Sequence, residues 1–337
     1  MTVLVTGATG LLGSHLTELL VAQGERPRVL LQSGDSLNWL GEANVDVHWG
    51  DVRDRESLEA AVSGVDRVLH CAARTGPWGP DAEFQRTNVL GLKTLVEVAL
   101  TAGVQRLVHV SSITVHGNDV GGTADETAPI RVEANPYSRS KVAGERLLAG
   151  MIRDRGAPVT IVRPGWIYGP RDSASFARFA GMIQRGRMVM VGPGTNHVPL
   201  IYVRDAAQGV LLAAEAPRAA GRTYLLVNDQ PVTQRDYLSA IAAELDAAPP
   251  KRHLPYSLTL MLGTVAEAGA RLTNGQQPPP IMRFGVQLLG GENRFVITRA
   301  RQELGFTPQV SLAEGVMHSV DWYRTTWSAN ATHDRAR

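Results

Sequence analysis

Tyr137 and Lys141 stand four residues apart in the segment "NPYSRSK", which ends at Lys141. Lysine is scarce in this chain, with three lysines against thirty-one arginines, so its presence here suggests a specific requirement. Asn135 is a suitable N-cap and Pro136 suits a first helical position, so a helix is predicted to begin here. Residues four apart share one helix face, where an ammonium would lower the pKa of the phenol and fit it for proton transfer. We therefore predict that Tyr137 and Lys141 are catalytic; the alternative is an exposed pair without a chemical role.

Two serines, Ser111 and Ser112, follow a predicted strand in "HVSSITVHG". They stand at its carboxyl end, the edge at which open α/β sheets bind ligands. Side chains alternate along a strand, so the two hydroxyls should point to opposite faces and only one should reach the site. We predict that Ser112 bonds the substrate oxygen while Tyr137 transfers the proton. Ser111 and Thr114 are further candidates for substrate contact.

A glycine-rich turn, "TGATGLLG", places Gly7, Gly10 and Gly13 between the first predicted strand and the first predicted helix. Glycines here allow a tight turn and a close approach of the backbone to a pyrophosphate, and the helix N-terminus adds partial positive charge. After a strand and before a helix, the pattern predicts a dinucleotide site rather than a plain structural turn. The cofactor contacts predicted from this turn are Gly7, Thr9, Gly10, Leu11 and Leu12.

The end of the second predicted strand carries Gln32 and Ser33, where dinucleotide-binding folds usually place an acid that holds the ribose 2′-hydroxyl. Without a carboxylate there, a 2′-phosphate could be accepted, which favours NADP as the cofactor. NAD is the alternative, because Asp35 or an arginine from another loop could reverse the preference. Asp51 and Val52, in "GDVRD" after the third predicted strand, are expected at the adenine, unless Asp51 is a plain turn residue.

Short apolar runs alternate with amphipathic stretches over the first 165 residues. The predicted strands are 3–6, 28–31, 45–48, 65–71, 107–111 and 159–163. The predicted helices are 14–22, 57–62, 87–102 and 136–151. Strict alternation of this kind predicts an α/β fold with a Rossmann-like, doubly wound parallel sheet.

Beyond residue 165 the pattern loosens into glycine- and proline-rich segments, although a helix at 202–214 and a strand at 223–228 could return to the sheet. The polar, glycine-rich connection 117–135 is long enough to act as a lid over a site. The expected units are a dinucleotide-binding domain of residues 1–165 and about 201–228, a smaller mixed substrate-binding lobe of about 166–200 and 229–318, and a flexible tail of 325–337.

Composition excludes several classes of function. The net charge is +2 without long runs of one sign, so neither a nucleic-acid footprint nor a polybasic membrane patch is indicated. No run of eighteen apolar residues predicts a membrane span. The single cysteine, Cys71, excludes an internal disulfide, and no leader is visible, so a cytoplasmic location is expected. No spacing typical of a metal site or of a hydrolase nucleophile occurs, so no metal is expected.

The order of these motifs resembles the extended short-chain dehydrogenase/reductase family over about residues 2–325. The shared motifs are "TGATGLLG", "GDVRD", "HCAA", "NVLGLKTL", "VSSITVHG", "YSRSK" and "RPGWIYGP". The resemblance implies that Tyr137 donates or accepts the proton, that Lys141 binds the ribose and tunes the tyrosine, and that Ser112 orients the substrate oxygen. The cofactor contacts that it adds are Ala72, Ala73, Tyr137, Lys141, Pro164 and Gly165.

The stretch "AARTGPWGPDAEFQRTNVLG" is similar to the 3β-hydroxysteroid dehydrogenase and dihydroflavonol reductase-like branch of that family, which implies a place near the substrate for Trp78. Trp166 and His197 are further candidates for substrate contact. His116 stands where many relatives have tyrosine. Helices 87–102 and 136–151 resemble those that pair relatives into homodimers.

Three functions are carried forward. The first is an NAD(P)-dependent oxidoreductase that interconverts a secondary alcohol and a ketone of a mainly apolar small molecule. The second is a sugar-nucleotide epimerase. It is disfavoured because Val198 and Pro199 stand where relatives of that kind have residues that help hold the diphosphate. Dehydration is disfavoured because Ile113 and Thr114 replace an Asp-Glu pair. The third is a dinucleotide sensor without turnover.

Overall fold

The computed structural model describes residues 1–36, 39, 44–132, 134–272 and 277–327. Within these residues the strands are β1 Val3–Thr6, β2 Arg28–Leu31, β3 Asp46–Trp49, β4 Arg67–His70, β5 Arg106–Val110, β6 Gly122–Ala124, β7 Val159–Pro164, β8 Trp166–Tyr168, β9 Met190–Val191, β10 His197–Val198, β11 Leu200–Tyr202, β12 Thr223–Leu226, β13 Val232–Thr233, β14 His253–Leu254 and β15 Asn293–Phe295. The α-helices are α1 Leu11–Ala22, α2 Arg55–Val62, α3 Asp81–Phe84, α4 Leu92–Thr101, α5 Pro136–Arg155, α6 Phe176–Gln184, α7 Val203–Glu215, α8 Gln234–Glu244, α9 Tyr256–Leu272, α10 Arg283–Gly290, α11 Thr298–Leu304 and α12 Leu312–Trp322. Shorter helical segments are Gln85–Gly91 and Tyr323–Trp327, which are π-helical, and Ile113–His116 and Pro217–Ala219, which are 3₁₀ turns.

A parallel sheet forms the centre of the described chain, with the strand order β12-β7-β5-β4-β1-β2-β3. The strand order changes direction beside β1, since β2 lies on one side of it and β4 on the other. Open α/β sheets bind ligands at such a switch point, outside the carboxyl ends of the strands. The predicted doubly wound α/β fold is therefore confirmed.

Both faces of this sheet are buried, which explains why its strands read as continuous apolar runs. Along β1, Val3 and Val5 pack on the α1 and α7 side, whereas Leu4 packs against α2 and α4 on the other. Side chains that alternate between two covered faces are typical of parallel sheets in α/β proteins.

The helix that carries Tyr137 is longer than predicted. It begins where expected, because Asn135 accepts a hydrogen bond from the Ser138 N–H and Pro136 occupies the first turn. It continues to Arg155 and ends at Gly156, which adopts the left-handed conformation with φ 61°. Glycine commonly terminates helices in this way, so the end at residue 151 was predicted one turn too early.

The other predicted boundaries differ at their ends. The predicted strand 65–71 shortens to β4, and the predicted helix 87–102 consists of the π-helical segment followed by α4. At Gly91 in that segment, an added Cβ would lie 3.0 Å from the Val52 carbonyl oxygen, so the helix passes close to the loop after β3.

A second apolar core gathers elements from the rest of the chain around buried aromatic residues. Tyr168 of β8 and Tyr202 of β11 pack edge to face, with ring centroids 5.7 Å apart, and β8 pairs with β11 outside the main sheet. By contrast, Phe295, Ile297 and Phe306 join the core on the α1 and α7 face of the main sheet. The division into two lobes therefore stays a proposal, and most of the predicted tail, 328–337, lies outside the described residues.

The connection 117–135 is attached to the sheet rather than standing free as a lid. Its strand β6 pairs with β15, with Gly122 opposite Asn293. The side chain of Glu126 is buried and accepts a hydrogen bond of 2.9 Å from the Leu225 N–H of β12. Backbone pairing and a buried carboxylate fix this segment beside the carboxyl edge of β12.

None of the helices among the described residues has the length and apolar composition needed to cross a bilayer.

Replacement of Gly7 by alanine should destabilise the fold more than the same change at Gly24. Both residues have positive φ, 71° and 83°, but an added Cβ at Gly7 would lie 2.7 Å from the Ala72 nitrogen, whereas at Gly24 it meets open space. We expect a loss of about 1–2 kcal/mol in the free energy of unfolding for Gly24→Ala and about 3 kcal/mol or more for Gly7→Ala, measured by urea denaturation. Equal losses would show that the close approach is unimportant.

Candidate active site

The glycine turn brings the start of α1 against β1 and β4. Gly7 needs its positive φ, and its neighbour across the turn is the Cys71–Ala72 backbone. A Cβ at Gly13 would lie 2.1 Å from the Gly7 carbonyl oxygen, so helix and turn are in contact. Gly10 caps α1 without a side-chain hydrogen bond, and the first turn of α1 holds no acidic residue. The helix N-terminus therefore presents its dipole to an anion, and the residues fit a pyrophosphate.

The predicted cofactor contacts around this turn differ in what they can offer. Gly10 is exposed and Thr9 half-buried, so both are accessible to a ligand. Leu12 is buried in the core, so its side chain cannot face a ligand, and its contribution is limited to the backbone. Ala72 donates its N–H to the Thr6 hydroxyl over 3.3 Å, which holds the end of β4 against β1. Ala73 follows it and is partly exposed.

A cavity of about 660 Å³ lies where the adenosine end of a dinucleotide is expected. Its lining residues are Gln32, Ser33, Gly34, Trp49, Gly50, Asp51, Asp54 and Ser57. The predicted contacts Gln32, Ser33 and Asp51 are therefore brought together, and Gln32 Nε2 donates to Asp51 Oδ2 over 3.0 Å. Val52, in contrast, is buried in the core and does not line this cavity.

Three carboxylates lie at or near this cavity, although no acidic residue stands directly at the end of β2. Asp35 turns back, and its Oδ2 accepts a hydrogen bond of 2.9 Å from the Gln32 N–H. Asp51 forms an ion pair with Arg53 at 2.5 Å, and the guanidinium lowers the pKa of this carboxyl. Asp54 caps α2 by accepting from the Ser57 N–H.

Tyr137 and Lys141 lie on the inner face of α5, next to the end of β5. Lys141 is buried, its Nζ donates to the Val110 carbonyl oxygen over 2.7 Å, and the same atom lies 5.8 Å from the Tyr137 ring centroid. Burial lowers the pKa of Lys141 to about 8, against opposing contributions from Cys71 and Glu145. Burial raises the pKa of Tyr137 to about 12, and a hydrogen bond with the Ser112 side chain acts in the opposite direction.

The expected lowering of the tyrosine pKa by the ammonium is therefore absent in this structure. The lysine lies beside the ring and is directed to the Val110 carbonyl rather than to the phenol oxygen. Desolvation dominates, because a buried phenolate loses its hydration and gains no charged hydrogen-bond partner.

The two serines at the end of β5 diverge as predicted. Ser111 donates its hydroxyl to Glu145 Oε1 over 2.5 Å, underneath α5. Ser112 caps the following 3₁₀ turn by accepting from the Thr114 N–H, and its side chain interacts with the Tyr137 phenol. This arrangement supports the choice of Ser112 over Ser111 as the residue that meets a substrate oxygen.

A buried polar network under α5 was missed by the sequence analysis. Glu145 accepts two hydrogen bonds from Arg163 of β7, with Nε at 2.9 Å and Nη2 at 2.5 Å, and both side chains are about 95% buried. Arg163 Nη1 also donates to His116 Nε2 over 2.9 Å, and burial lowers the pKa of His116. One signal was available, since Glu145 follows Lys141 by four residues and so shares its helix face.

Two stacked histidines lie near Lys141. His70 and His109 are in register on β4 and β5, with ring centroids 5.5 Å apart. The Nδ1 atom of His70 lies 2.7 Å from the Thr6 hydroxyl. Burial lowers the pKa of His70 to about 3 and that of His109 well below its usual value, so both rings are neutral at physiological pH. His70 therefore occupies a core position.

The remaining predicted substrate contacts are dispersed. The Thr114 hydroxyl, near Ser112, is buried and has no hydrogen-bond partner within the described part of the chain. Trp78 lies in the loop after β4, with the guanidinium of Arg271 5.7 Å from its ring. Trp166 belongs to the aromatic core and donates to the Ser175 hydroxyl over 3.0 Å. His197 pairs with Glu292 at 2.6 Å, beside a separate small cavity.

Two further cofactor predictions fall at the end of β7, where the chain leaves the main sheet. Pro164 is the last residue of β7 and is buried. At Gly165 an added Cβ would lie 2.1 Å from the Pro199 carbonyl oxygen, so this position has no room for a side chain.

A comparison with known proteins places this geometry in a family. The sequence profile described as the NAD dependent epimerase/dehydratase family matches residues 3–226. The chain belongs to this family. A relative named 2-alkyl-3-oxoalkanoate reductase from Stenotrophomonas maltophilia (strain K279a) is 30% identical, over 94% of this chain and 97% of its own. The human protein named sterol-4-alpha-carboxylate 3-dehydrogenase, decarboxylating, is 28% identical, over 95% of this chain and 87% of its own.

A solved structure of this fold, the crystal structure of gox2253, superposes with a TM-score of 0.81 and 28% sequence identity, covering 96% of this chain and 98% of its own. The resemblance to the extended short-chain dehydrogenase/reductase family and to its 3β-hydroxysteroid dehydrogenase-like branch is thus confirmed. The predicted function, an NAD(P)-dependent oxidoreductase of alcohols and ketones, is confirmed as well. The cofactor is a nicotinamide dinucleotide. The epimerase alternative is not favoured.

The folded chain should gain stability from pH 8 upward through Lys141. Its pKa is lowered from 10.5 to about 8 in the folded state, so the unfolded chain binds the proton more tightly between these values. The free energy of unfolding of the wild type minus that of Lys141→Met should therefore rise by about 3 kcal/mol between neutral pH and pH above 10. Urea denaturation at several pH values measures this difference. Lys93→Met, on the exposed face of α4, is the control, and a flat difference for Lys141→Met would contradict the burial effect.

Proposed function

We propose that this chain interconverts a ketone and a secondary alcohol, with Tyr137 as the proton donor or acceptor and Ser112 as the residue that orients the reacting oxygen. The cofactor, when bound, supplies or accepts the hydride at the substrate carbon. The observation that carries this proposal is the contact of the Ser112 side chain with the Tyr137 phenol, on a helix that also holds Lys141 against the same strand end.

The protonation states of Tyr137 and Lys141 favour ketone reduction near neutral pH. With a pKa of about 12, Tyr137 is protonated and ready to donate its proton to an oxygen that gains negative charge. With a pKa of about 8, Lys141 is mainly an ammonium at pH 7 and is proposed to hold the ribose of the cofactor, since its Nζ faces the Val110 carbonyl oxygen rather than the phenol. The substrate oxygen receives the proton while the carbon receives the hydride, so charge does not accumulate on the oxygen.

The substrate is proposed to be a mainly apolar ketone. Support comes from the relative named 2-alkyl-3-oxoalkanoate reductase, whose similarity extends over nearly the whole of both chains. The buried Thr114 hydroxyl near Ser112 would accommodate a second polar group of the substrate, because a buried hydroxyl without a partner is costly. Trp78, in the loop after β4, is proposed to contact the apolar part.

For the cofactor we propose NAD rather than the NADP that the sequence favoured. The carboxylates of Asp51 and Asp54 line the cavity at Gln32, Asp35 accepts a hydrogen bond from the Gln32 N–H, and these negative charges would repel a 2′-phosphate. The nearby guanidinium of Arg53 is already paired with Asp51. Ribose hydroxyls, by contrast, can donate to such carboxylates.

The homodimer through α4 and α5, the cytoplasmic location and the absence of a nucleic-acid partner stay predictions from the sequence. The mass of the purified chain in solution tests the first of these.

Tyr137→Phe should abolish turnover and leave cofactor binding nearly intact. The substitution removes only the hydroxyl that transfers the proton, and we expect kcat to fall at least about 10³-fold while Kd for the dinucleotide changes less than about twofold. Consumption of the reduced cofactor with a panel of apolar ketones, and quenching of protein fluorescence, measure the two quantities. Tyr323→Phe, which loses a phenol that bonds Gln184 far from α5, is the control. Unchanged rates in Tyr137→Phe would refute the proposal, and turnover without net cofactor consumption would indicate epimerisation.

NAD should bind more tightly than NADP, and Asp35→Ser should reduce the difference. Removal of one carboxylate beside the 2′ position is expected to strengthen NADP binding about tenfold relative to NAD. Calorimetric titration of both dinucleotides measures this ratio without any substrate. Asp321→Ser, on α12, is the control for loss of a surface charge. Tighter binding of NADP than of NAD to the wild type would contradict this proposal and support NADP, the cofactor predicted from Gln32 and Ser33.

A further inference from the structure

Helix α9 exposes an apolar face that nothing within the described chain covers. Five large apolar side chains recur at helical spacing along it and remain exposed, namely Leu258 at 41%, Met261 at 55%, Leu262 at 41%, Val265 at 65% and Leu272 at 87%. Single exposed apolar residues are ordinary, but a contiguous group of this kind marks an interaction surface.

The inner face of α9 combines small and polar buried residues with Tyr256 and Leu260, which pack against the second apolar core. Its buried residues are Thr259, Gly263 and Glu267. At Gly263 an added Cβ would lie 3.1 Å from the Arg283 nitrogen, which shows how closely α9 and α10 approach. Glu267 accepts from the Arg283 N–H over 2.7 Å and pairs with its guanidinium at 3.0 Å. The helix is thus held by polar contacts and by these two apolar side chains, and its exposed apolar side is left for a partner.

The segment that contains this face carries a net positive charge. Residues 247–291 contain four lysines and arginines and one acid, a net charge of +3 against +2 for the whole chain, so the remaining residues together carry −1. The one acid, Glu267, is turned inward onto Arg283. Lys251 and Arg252 are exposed just before α9, and Arg271 is exposed in its last turn. The apolar face is therefore bordered by cations and has no exposed acid from this segment.

The same helix adjoins the candidate active site at both ends. In its first turn, the Tyr256 hydroxyl donates to Asp119 over 2.8 Å, in the segment that follows Ser112. In its last turn, Arg271 lies over Trp78 in the loop after β4. A partner bound to α9 would thus lie beside the carboxyl edge of the sheet.

We propose that the apolar face of α9, with Lys251, Arg252 and Arg271, docks on an anionic lipid surface. A helix that lies in the membrane interface buries apolar side chains among the acyl chains and places basic side chains at the anionic headgroups. Charge complementarity selects a lipid surface over a neutral apolar partner. Docking of this kind would bring the site next to a reservoir of apolar molecules.

Co-sedimentation of the full chain with vesicles tests the proposal. Vesicles of phosphatidylcholine and phosphatidylglycerol in equal parts should bind the wild type, vesicles of phosphatidylcholine alone should bind it much more weakly, and high salt should reduce binding. The variant Met261→Ser/Val265→Ser should bind the mixed vesicles at least about tenfold more weakly, since it removes exposed apolar groups from the interface. Lys251→Gln/Arg252→Gln should show a loss of about tenfold that is confined to the mixed vesicles.

Matched controls are Met317→Ser, an exposed methionine on α12, and Arg185→Gln/Arg187→Gln, two exposed arginines after α6. Both should bind as the wild type does, and all variants should retain dinucleotide binding. Absence of wild-type binding to mixed vesicles, or equal binding by all variants, would overturn the proposal. A change in the solution mass of Met261→Ser/Val265→Ser without a change in vesicle binding would instead assign the face to a second copy of the chain. A raised KM for a small water-soluble ketone, with vesicle binding unchanged, would assign it to the substrate cleft.

Discussion

A buried ion pair, between Glu145 and Arg163, joins helix α5, which carries the proposed catalytic residues Tyr137 and Lys141, to strand β7 of the sheet. Neither charge can remain alone at this depth, because an unpaired buried charge costs several kcal/mol. The pair therefore fixes α5 against the sheet, and the hydrogen bond from Ser111 to Glu145 fixes the end of β5 against the same helix. Since Ser112 follows Ser111, this constraint also sets the distance between Ser112 and Tyr137.

The surroundings of Tyr137 and Lys141 disfavour the charged form of each side chain. Burial favours the neutral forms of both Tyr137 and Lys141, raising the pKa of one and lowering that of the other. A dry site strengthens electrostatic interactions with charge that develops during the reaction, so the groups that weaken the fold are suited to act on the transition state. Neutral histidines at 70 and 109 supply bulk and polarity behind Lys141 without adding a competing charge.

Local pattern was sufficient for most of the fold. Periodic apolar runs placed β1 and β2 at their observed bounds, and the capping residues Asn135 and Pro136 set the start of α5. The errors arose where neighbours in space decided the outcome. Segment 117–135 looks like a free loop in sequence, yet β6 finds a partner in β15, about 170 residues later, which no local signal could show.

The sequence by itself determined which functional groups are present and how they are spaced. It places a glycine turn ahead of a helix, a serine at the end of one strand, and a tyrosine and a lysine four residues apart on one helix. Only the tertiary structure decided how these groups are charged and directed. The ammonium is turned to the Val110 carbonyl, and Asp35 curls back onto the end of β2. Burial and the paths of electrostatic interaction depend on residues distant in the chain, so neither the pKa values nor the preference between two dinucleotides can be read from local spacing.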